Sequence, residues 1–138
     1  MDAPMPDKQR PTDEITVIRL GDDRYPSLLR QIAKPPLRLF VRGSVTALTH
    51  HCSVAFVGTR KMTSYGSAAV RLLVGPVARA GARIVSGLAL GVDAAVHEAT
   101  VDVGGITVAV LAGGVDDDSV GPKANLGLAR RISPTVAP

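Results

Sequence analysis

The sequence predicts a three-layer α/β domain built on a parallel sheet, and three stretches make that prediction. Val54–Arg60 reads VAFVGTR, Ile84–Asp93 reads IVSGLALGVD and Thr107–Asp116 reads TVAVLAGGVD. Each is a short run of β-branched or small apolar residues, the pattern of a strand buried on both faces. Each ends in glycine or serine-glycine, which lets the backbone turn sharply and approach a ligand. Helix-length segments separate them, so strand and helix alternate, which calls for parallel pairing, right-handed crossovers and a doubly wound sheet. The three carboxyl-terminal turns then converge on one edge, where open α/β sheets hold ligands.

Composition narrows the class. The chain has 138 residues, 46% hydrophobic and 20% charged, an ordinary globular balance with length for one core. No apolar run approaches the ~18 residues of a membrane span, so no membrane partner is expected. Residues 1–14, MDAPMPDKQRPTDE, form a proline-rich flexible tail without the apolar stretch of a signal peptide. Residues 15–51 are expected to pack as an extension on a core spanning 52–138. Cys52 is the single cysteine, which excludes an internal disulfide and fits a reducing cytoplasm; its side chain is expected as core filler. The net charge of +4 leans toward anionic partners but is spread evenly along the chain. Four aromatic residues are too few for a platform of stacked bases.

In order, Ile15–Leu20 is expected as a strand and Tyr25–Ile32 as a short helix with Pro26 in its first turn, where proline fits. Pro35-Pro36 ends that helix, Leu37–Val41 returns as a strand, and His50-His51 fall in a solvated loop with no further metal ligands near them. Ser53–Val57 is the first core strand. Ser64–Ala80 follows as a helix capped by Thr63 or Ser64, with Tyr65, Ala69, Leu72, Leu73, Val77 and Ala80 on one face at 3.6-residue spacing. Gly75-Pro76 inside it predicts a kink or break, at a cost of ~3 kcal/mol, and Gly81 is the stop. Arg83–Val85 is the next strand, Val92–Val101 the next helix, Ile106–Leu111 the third strand, and Lys123–Ile132 a closing helix.

Three constellations sit at the strand exits. Gly58-Thr59-Arg60 offers backbone N–H groups and a guanidinium suited to a phosphate oxygen. Ser86-Gly87 and Gly91-x-Asp93-x-x-x-His97 place Asp93 and His97 one helical turn apart, where loop-ordering hydrogen bonds outweigh ligand contact, and acid–base work is least supported. Gly113-Gly114 leaves room for a ligand against backbone, and Asp116 could order that loop or meet a sugar or base. Asp116-Asp117-Asp118 reads as a solvated loop in preference to a cation site. Neither G-x-G-x-x-G nor the P-loop pattern occurs, so no nucleotide cofactor is expected.

Taken together, VGTRKMTSYG, GARIVSGLALGVDAAVHEAT, GGITVAVLAGGVD and PKANLGLARRI resemble the DNA-processing protein A (DprA, or Smf) family, as does the upstream DDRYPSLLRQIAKPPLRLFVRGS. The resemblance runs from Ile15 to Ile132. It implies a Rossmann-like core that binds single-stranded DNA without catalysis or cofactor, in natural transformation, and that loads the recombinase RecA. A homodimer is a further implied partner state. Carried over by motif, Gly58, Thr59 and Arg60 line a DNA-phosphate pocket, with Lys61 adding charge. Ser86, Gly87, Gly91, Asp93, His97, Gly113 and Gly114 shape it, and Lys123 and Asn125 stand at its rim. The chain departs from the family pattern at Leu90 and Ile106, where polar or basic residues are usual, and at Gly121, where an aromatic is. It stops at RRISPTVAP, where the family continues into further strands, so the core is expected to be incomplete at its carboxyl end. Two other readings stand beside this one. A phosphoribohydrolase-like nucleotide enzyme of related fold needs P-G-G-x-G-T-x-x-E, whereas LAGGVDDDS lacks the proline, threonine and glutamate. An inactive fragment of a DprA-like protein is the third.

Overall fold

The computed structural model describes residues 14–49, 52–132 and the backbone of 135–137; most of the tail and the His50-His51 loop lie outside the described residues. The chain forms one six-stranded sheet in the order β1-β2-β6-β5-β4-β3. β3 (Ser53–Ala55), β4 (Arg83–Ser86), β5 (Thr107–Val110) and β6 (Thr135–Ala137) run parallel, as the alternation of strand and helix requires. β1 (Ile15–Arg19) and β2 (Arg38–Arg42) are an antiparallel pair that joins the sheet where β2 meets β6.

The helices are distributed less evenly than a doubly wound sheet implies. α2 (Ser64–Arg79), α3 (Val92–Asp102) and α4 (Leu126–Arg131) all pack on the face that carries Ile84, Thr107 and Ala109. Val85 and Val108 point the other way, where the described residues that cover them are Tyr25, α1 (Ser27–Arg30) and a 3₁₀ turn at Val45–Thr49. α1 is shorter than expected because Pro26 is its cap, with extended backbone, and not part of its first turn. The closing helix likewise divides into a 3₁₀ turn at Lys123–Asn125 and then α4.

Several burial expectations are corrected. β3 stands at the end of the strand order with all three residues exposed, β4 being the strand that pairs with it among the described residues. Cys52, just before it, is exposed too and fills no core. Thr63 caps α2, its hydroxyl oxygen accepting the Gly66 N–H at 3.1 Å. The face of α2 on the core is Val70, Val74 and Ala78, not the predicted stripe, of which only Val77 packs there; Tyr65 and Leu72 are exposed. The helix is apolar on two faces, so periodicity alone cannot choose between them. α2 also runs through Pro76 without a break. The carbonyl that loses its donor belongs to Leu72, a residue on the exposed side of the helix.

Candidate nucleic-acid interface

The turns after β4 and β5, together with Arg60, enclose a groove of about 430 Å³ at the carboxyl edge of the sheet. Arg60, Gly87, Ala89, Leu90, Leu111, Ala112, Gly113, Ser119, Gly121 and Pro122 line it, and none is a carboxylate. Arg60 is exposed, and among the described residues its guanidinium has neither hydrogen bond nor ion pair, so the positive charge is free for a ligand anion. Lys61 is exposed beside it, its backbone N–H held by the Thr59 hydroxyl at 3.1 Å.

The glycines divide into two kinds. A Cβ at Gly113 would meet its nearest neighbour, the Ser119 carbonyl, at an ordinary 3.4 Å, so this wall has space beside it. Gly58 is different, because a Cβ there would sit 2.8–2.9 Å from the Val92 side chain of α3. Gly91 has φ +81° and would place a Cβ 2.4 Å from the Thr59 carbonyl, which itself accepts the Val92 N–H at 3.0 Å. Gly114 is closed off by Ser119 and Asp116. Gly58 and Gly91 therefore serve the packing of turn on helix, Gly87 is closed by the Asp93 carboxylate 2.8 Å from a Cβ and Gly114 by its own loop, and ligand room is left at Gly113.

Behind the groove, polar side chains fix the turn after β4. Ser86 is buried and donates to the Phe56 carbonyl at 2.7 Å, tying the exits of β3 and β4 together. Asp93 accepts the Gly87 N–H at 3.2 Å, which orders the loop from the first turn of α3. His97 does not reach the groove; it is completely buried between α3 and β5. The Thr107 hydroxyl donates its single proton to the Ile84 carbonyl at 2.9 Å, so His97 Nδ1, 2.7 Å away, must be the donor to that oxygen. The ring is then the Nδ1–H tautomer, and its buried Nε2 has no partner among the described residues. Burial pulls its pKa down to about 4 against a weaker opposing pull from Asp93. His97 is neutral at physiological pH and supplies no charge to a phosphate.

The rim assignments change in kind. Lys123 directs its ammonium at the carbonyls of Asp117 and Asp118, 2.8 and 2.6 Å away, and braces that loop. Asn125 donates to the Leu88 carbonyl at 2.8 Å. Leu88 has φ +61°, a left-handed conformation that costs a side-chain-bearing residue ~1–2 kcal/mol. Its buried side chain and the Asn125 clamp hold it there, and the bend re-aims Ala89 and Leu90 into the groove. Asp117 is no cation ligand; the guanidiniums of Arg130 and Arg42, each 2.6 Å away, hold its carboxyl down at about 2. Ala89, Leu111, Ala112, Ser119 and Pro122 were not singled out from sequence. All but Ser119 and Pro122 adjoin the strand-exit glycines, and that adjacency is the signal that could have found them.

A carboxylate-free groove at the exits of parallel strands, with an unpaired guanidinium at its rim, defines an α/β domain suited to an anionic ligand. Similarity specifies it further. The model of the family described as DNA recombination-mediator protein A matches residues 16–137, and the chain belongs to that family. The DNA processing protein DprA of Bacillus subtilis is 39% identical over 119 residues, which cover 86% of this chain and 39% of that protein. The structure of DNA processing protein A from Streptococcus pneumoniae superposes with TM-score 0.80 at 30% identity, covering 92% of this chain and 44% of that one. DNA processing protein A from Helicobacter pylori, a structure described for its single-stranded DNA binding mode, gives TM-score 0.77 at 24% identity, with coverages of 93% and 57%. The chain thus spans well under two thirds of the length of these relatives, and the match favours this family over the phosphoribohydrolase reading.

Proposed function

We propose that the chain binds single-stranded DNA in the groove at the exits of β3, β4 and β5 and acts in DNA processing and uptake. The observation that carries this reading is Arg60: an unpaired, permanently charged fork at the mouth of a groove with no carboxylate in its lining. Family membership and the DNA-binding described for the Helicobacter relative support it. The protein works as a binder and not as an enzyme, in the cytoplasm. RecA and a second copy of the chain are its further partners on this reading, both measurable by sedimentation with and without RecA on an oligonucleotide.

Fluorescence polarisation with a single-stranded and a duplex oligonucleotide across a salt series tests the groove. Each phosphate contact on a single strand contributes roughly −0.7 to the log–log salt slope. Arg60→Ala is expected to weaken binding about tenfold, ~1.4 kcal/mol, and to flatten the slope by one such contact. Arg79→Ala, on the exposed end of α2, leaves both unchanged. A salt-independent affinity, or equal losses from the two variants, refutes the assignment.

A further inference from the structure

The β1–β2 hairpin carries a pair of charges that its own folding does not use. The register sets Arg19 directly opposite Arg38. Leu20 donates its backbone N–H to the Leu37 carbonyl at 3.0 Å, which makes Leu20 and Leu37 a hydrogen-bonded pair. Arg19 and Arg38, one step along, are then a non-hydrogen-bonded pair, with Cα atoms about 4.5 Å apart and side chains at their closest approach. Like charges so placed destabilise a hairpin. Both arginines are exposed, and among the described residues neither guanidinium has a hydrogen bond or an ion pair. The carboxylates next in the chain are committed elsewhere: Asp22 is held by Arg24 at 2.6 Å, and Asp23 lines a groove on the face that carries Leu39. The arginines instead flank a concavity of about 450 Å³, walled besides by Leu20, Gly21 and Leu37.

Register also places this pair relative to the candidate DNA groove. Val41 is level with Val136, and Val136 with Val110 at the end of β5. Arg38 lies three residues further along the hairpin, about 10 Å beyond that level. β1 is antiparallel to β2, and β2 to β6, so β1 runs with the parallel strands and the hairpin projects from their carboxyl edge. That is the edge holding the groove. On β2, Arg38 shares a face with Phe40 and Arg42. Phe40 packs with Leu111 and carries the Arg38 guanidinium 5.5 Å above its ring, and Arg42 grips Val115 and Asp117. The pair therefore stands on the same edge and the same face as the groove, beyond the loop that Arg42 ties to β2. Three strand spacings, about 14 Å, separate the middle of the hairpin from the β4–β5 turns, so a short extended single strand reaches both.

We propose that Arg19 and Arg38 form a second phosphate site, which takes a phosphodiester of the strand held in the groove. The identity of the ligand rests on the function proposed above; the site itself rests on the hairpin. A guanidinium fork matches a phosphate bidentately, and one phosphate between two forks turns a repulsion into charge-assisted hydrogen bonds.

The test compares the full chain with Arg19→Thr, the Arg19→Thr/Arg38→Thr double variant and Arg60→Ala, threonine being suited to a strand. With a thymidine oligomer in polarisation, the double variant is expected to bind about tenfold more weakly and to flatten the log–log salt slope by roughly 0.7, one phosphate. Without ligand at low salt, Arg19→Thr should raise Tm or leave it unchanged, because a repulsion is removed while Arg38 keeps its contact with Phe40. Inorganic phosphate should raise the Tm of the parent more than that of the double variant. Arg60→Ala reports on the groove separately: no effect from it, with a loss from the double variant, refutes the groove and leaves the arginine pair as a DNA contact. A loss from Arg60→Ala with none from the double variant overturns the inference. So do a lower Tm in Arg19→Thr and an equal response of parent and double variant to phosphate. Phosphate or anionic vesicles bound through the pair with DNA affinity unchanged in the double variant would likewise overturn it, assigning the pair to a free anion or a lipid surface.

Discussion

Acid should destabilise this protein through His97 before it protonates the carboxylates. The imidazole is wholly buried, has its pKa pulled down to about 4, and would titrate near 6.5 in the unfolded chain. Between those values the unfolded state holds a proton that the folded state does not, so stability rises with pH across the interval. The contribution is fully present above about pH 6.5 and is lost as pH falls toward 4. For one such group the loss relative to neutral pH is about 1.2 kcal/mol near pH 5.5 and about 2.4 kcal/mol near pH 4.5. That is a large share of the ~5–15 kcal/mol typical of a domain.

Urea unfolding at a series of pH values measures this, with His97→Gln as the reference. The variant is expected to be less stable at neutral pH, because it loses packing and the Thr107 contact. Its pH dependence between about 7 and 4.5 should be flatter by the amount above, which removes His50 and His51 from the comparison. Nitrogen shifts of the His97 ring should report a neutral Nδ1–H tautomer near pH 6, as the Thr107 donation to Ile84 requires. Equal slopes in the two proteins, or an imidazolium already formed near pH 6, would refute the argument. DNA affinity at fixed ionic strength should show no inflection from His97 while the protein stays folded.

Three further outcomes follow from the geometry. Gly58→Ala should cost about 1–3 kcal/mol by overpacking against Val92, and Val92→Ala in the same chain should recover most of it, read from urea midpoints. Gly91→Ala should be worse and not rescued by Val92→Ala, since its φ of +81° and the Thr59 carbonyl 2.4 Å from the new Cβ involve backbone. Asp117→Asn should lower Tm by loosening the loop from Arg42 and Arg130, with a smaller effect in high salt. The carboxyl's contribution stands above about pH 3.8 and is lost as pH falls through about 2, so the variant and parent should converge in strong acid.

The parallel pairing of the core strands was legible because glycine-ended apolar runs alternate with helix-length segments, and that pattern has few packing solutions. Burial was less legible. β3 and β5 read alike as apolar runs, yet β5 is central and β3 stands at the end of the strand order, a difference set by what pairs beside each strand. α2 shows the same limit within one helix. Its stripe at Tyr65, Ala69, Leu72 and Leu73 is as regular as the one that packs, and only contact with α3 and Ile84 picks Val70, Val74 and Ala78 for the core. Pro76 predicts a kink or break through its missing N–H and its clash with the preceding turn, yet α2 continues past it, with Leu72 and Pro76 both on the exposed side of the helix.

At the candidate site, the sequence locates the edge of the sheet but does not separate the residues that face a ligand from those that hold the edge in shape. Glycine is the sharpest case. The same residue type is required where a ligand meets backbone, as at Gly113, and where a helix meets a turn, as at Gly58 and Gly91. The spacing of Asp93 and His97 is one helical turn in either role, yet one closes the Gly87 turn and the other is sealed behind Thr107. Lys123 and Asn125 follow suit, with donors turned inward onto the carbonyls of the Asp117-Asp118 loop and of Leu88. What remains facing outward is Arg60, with Lys61 beside it. Most of the polar residues at this edge are therefore engaged in holding two glycine turns open, and the charge that meets an anion is concentrated in the first turn. Substitutions behind the groove should then act on DNA affinity only through stability or loop order, whereas Arg60→Ala should lower affinity with the melt unchanged.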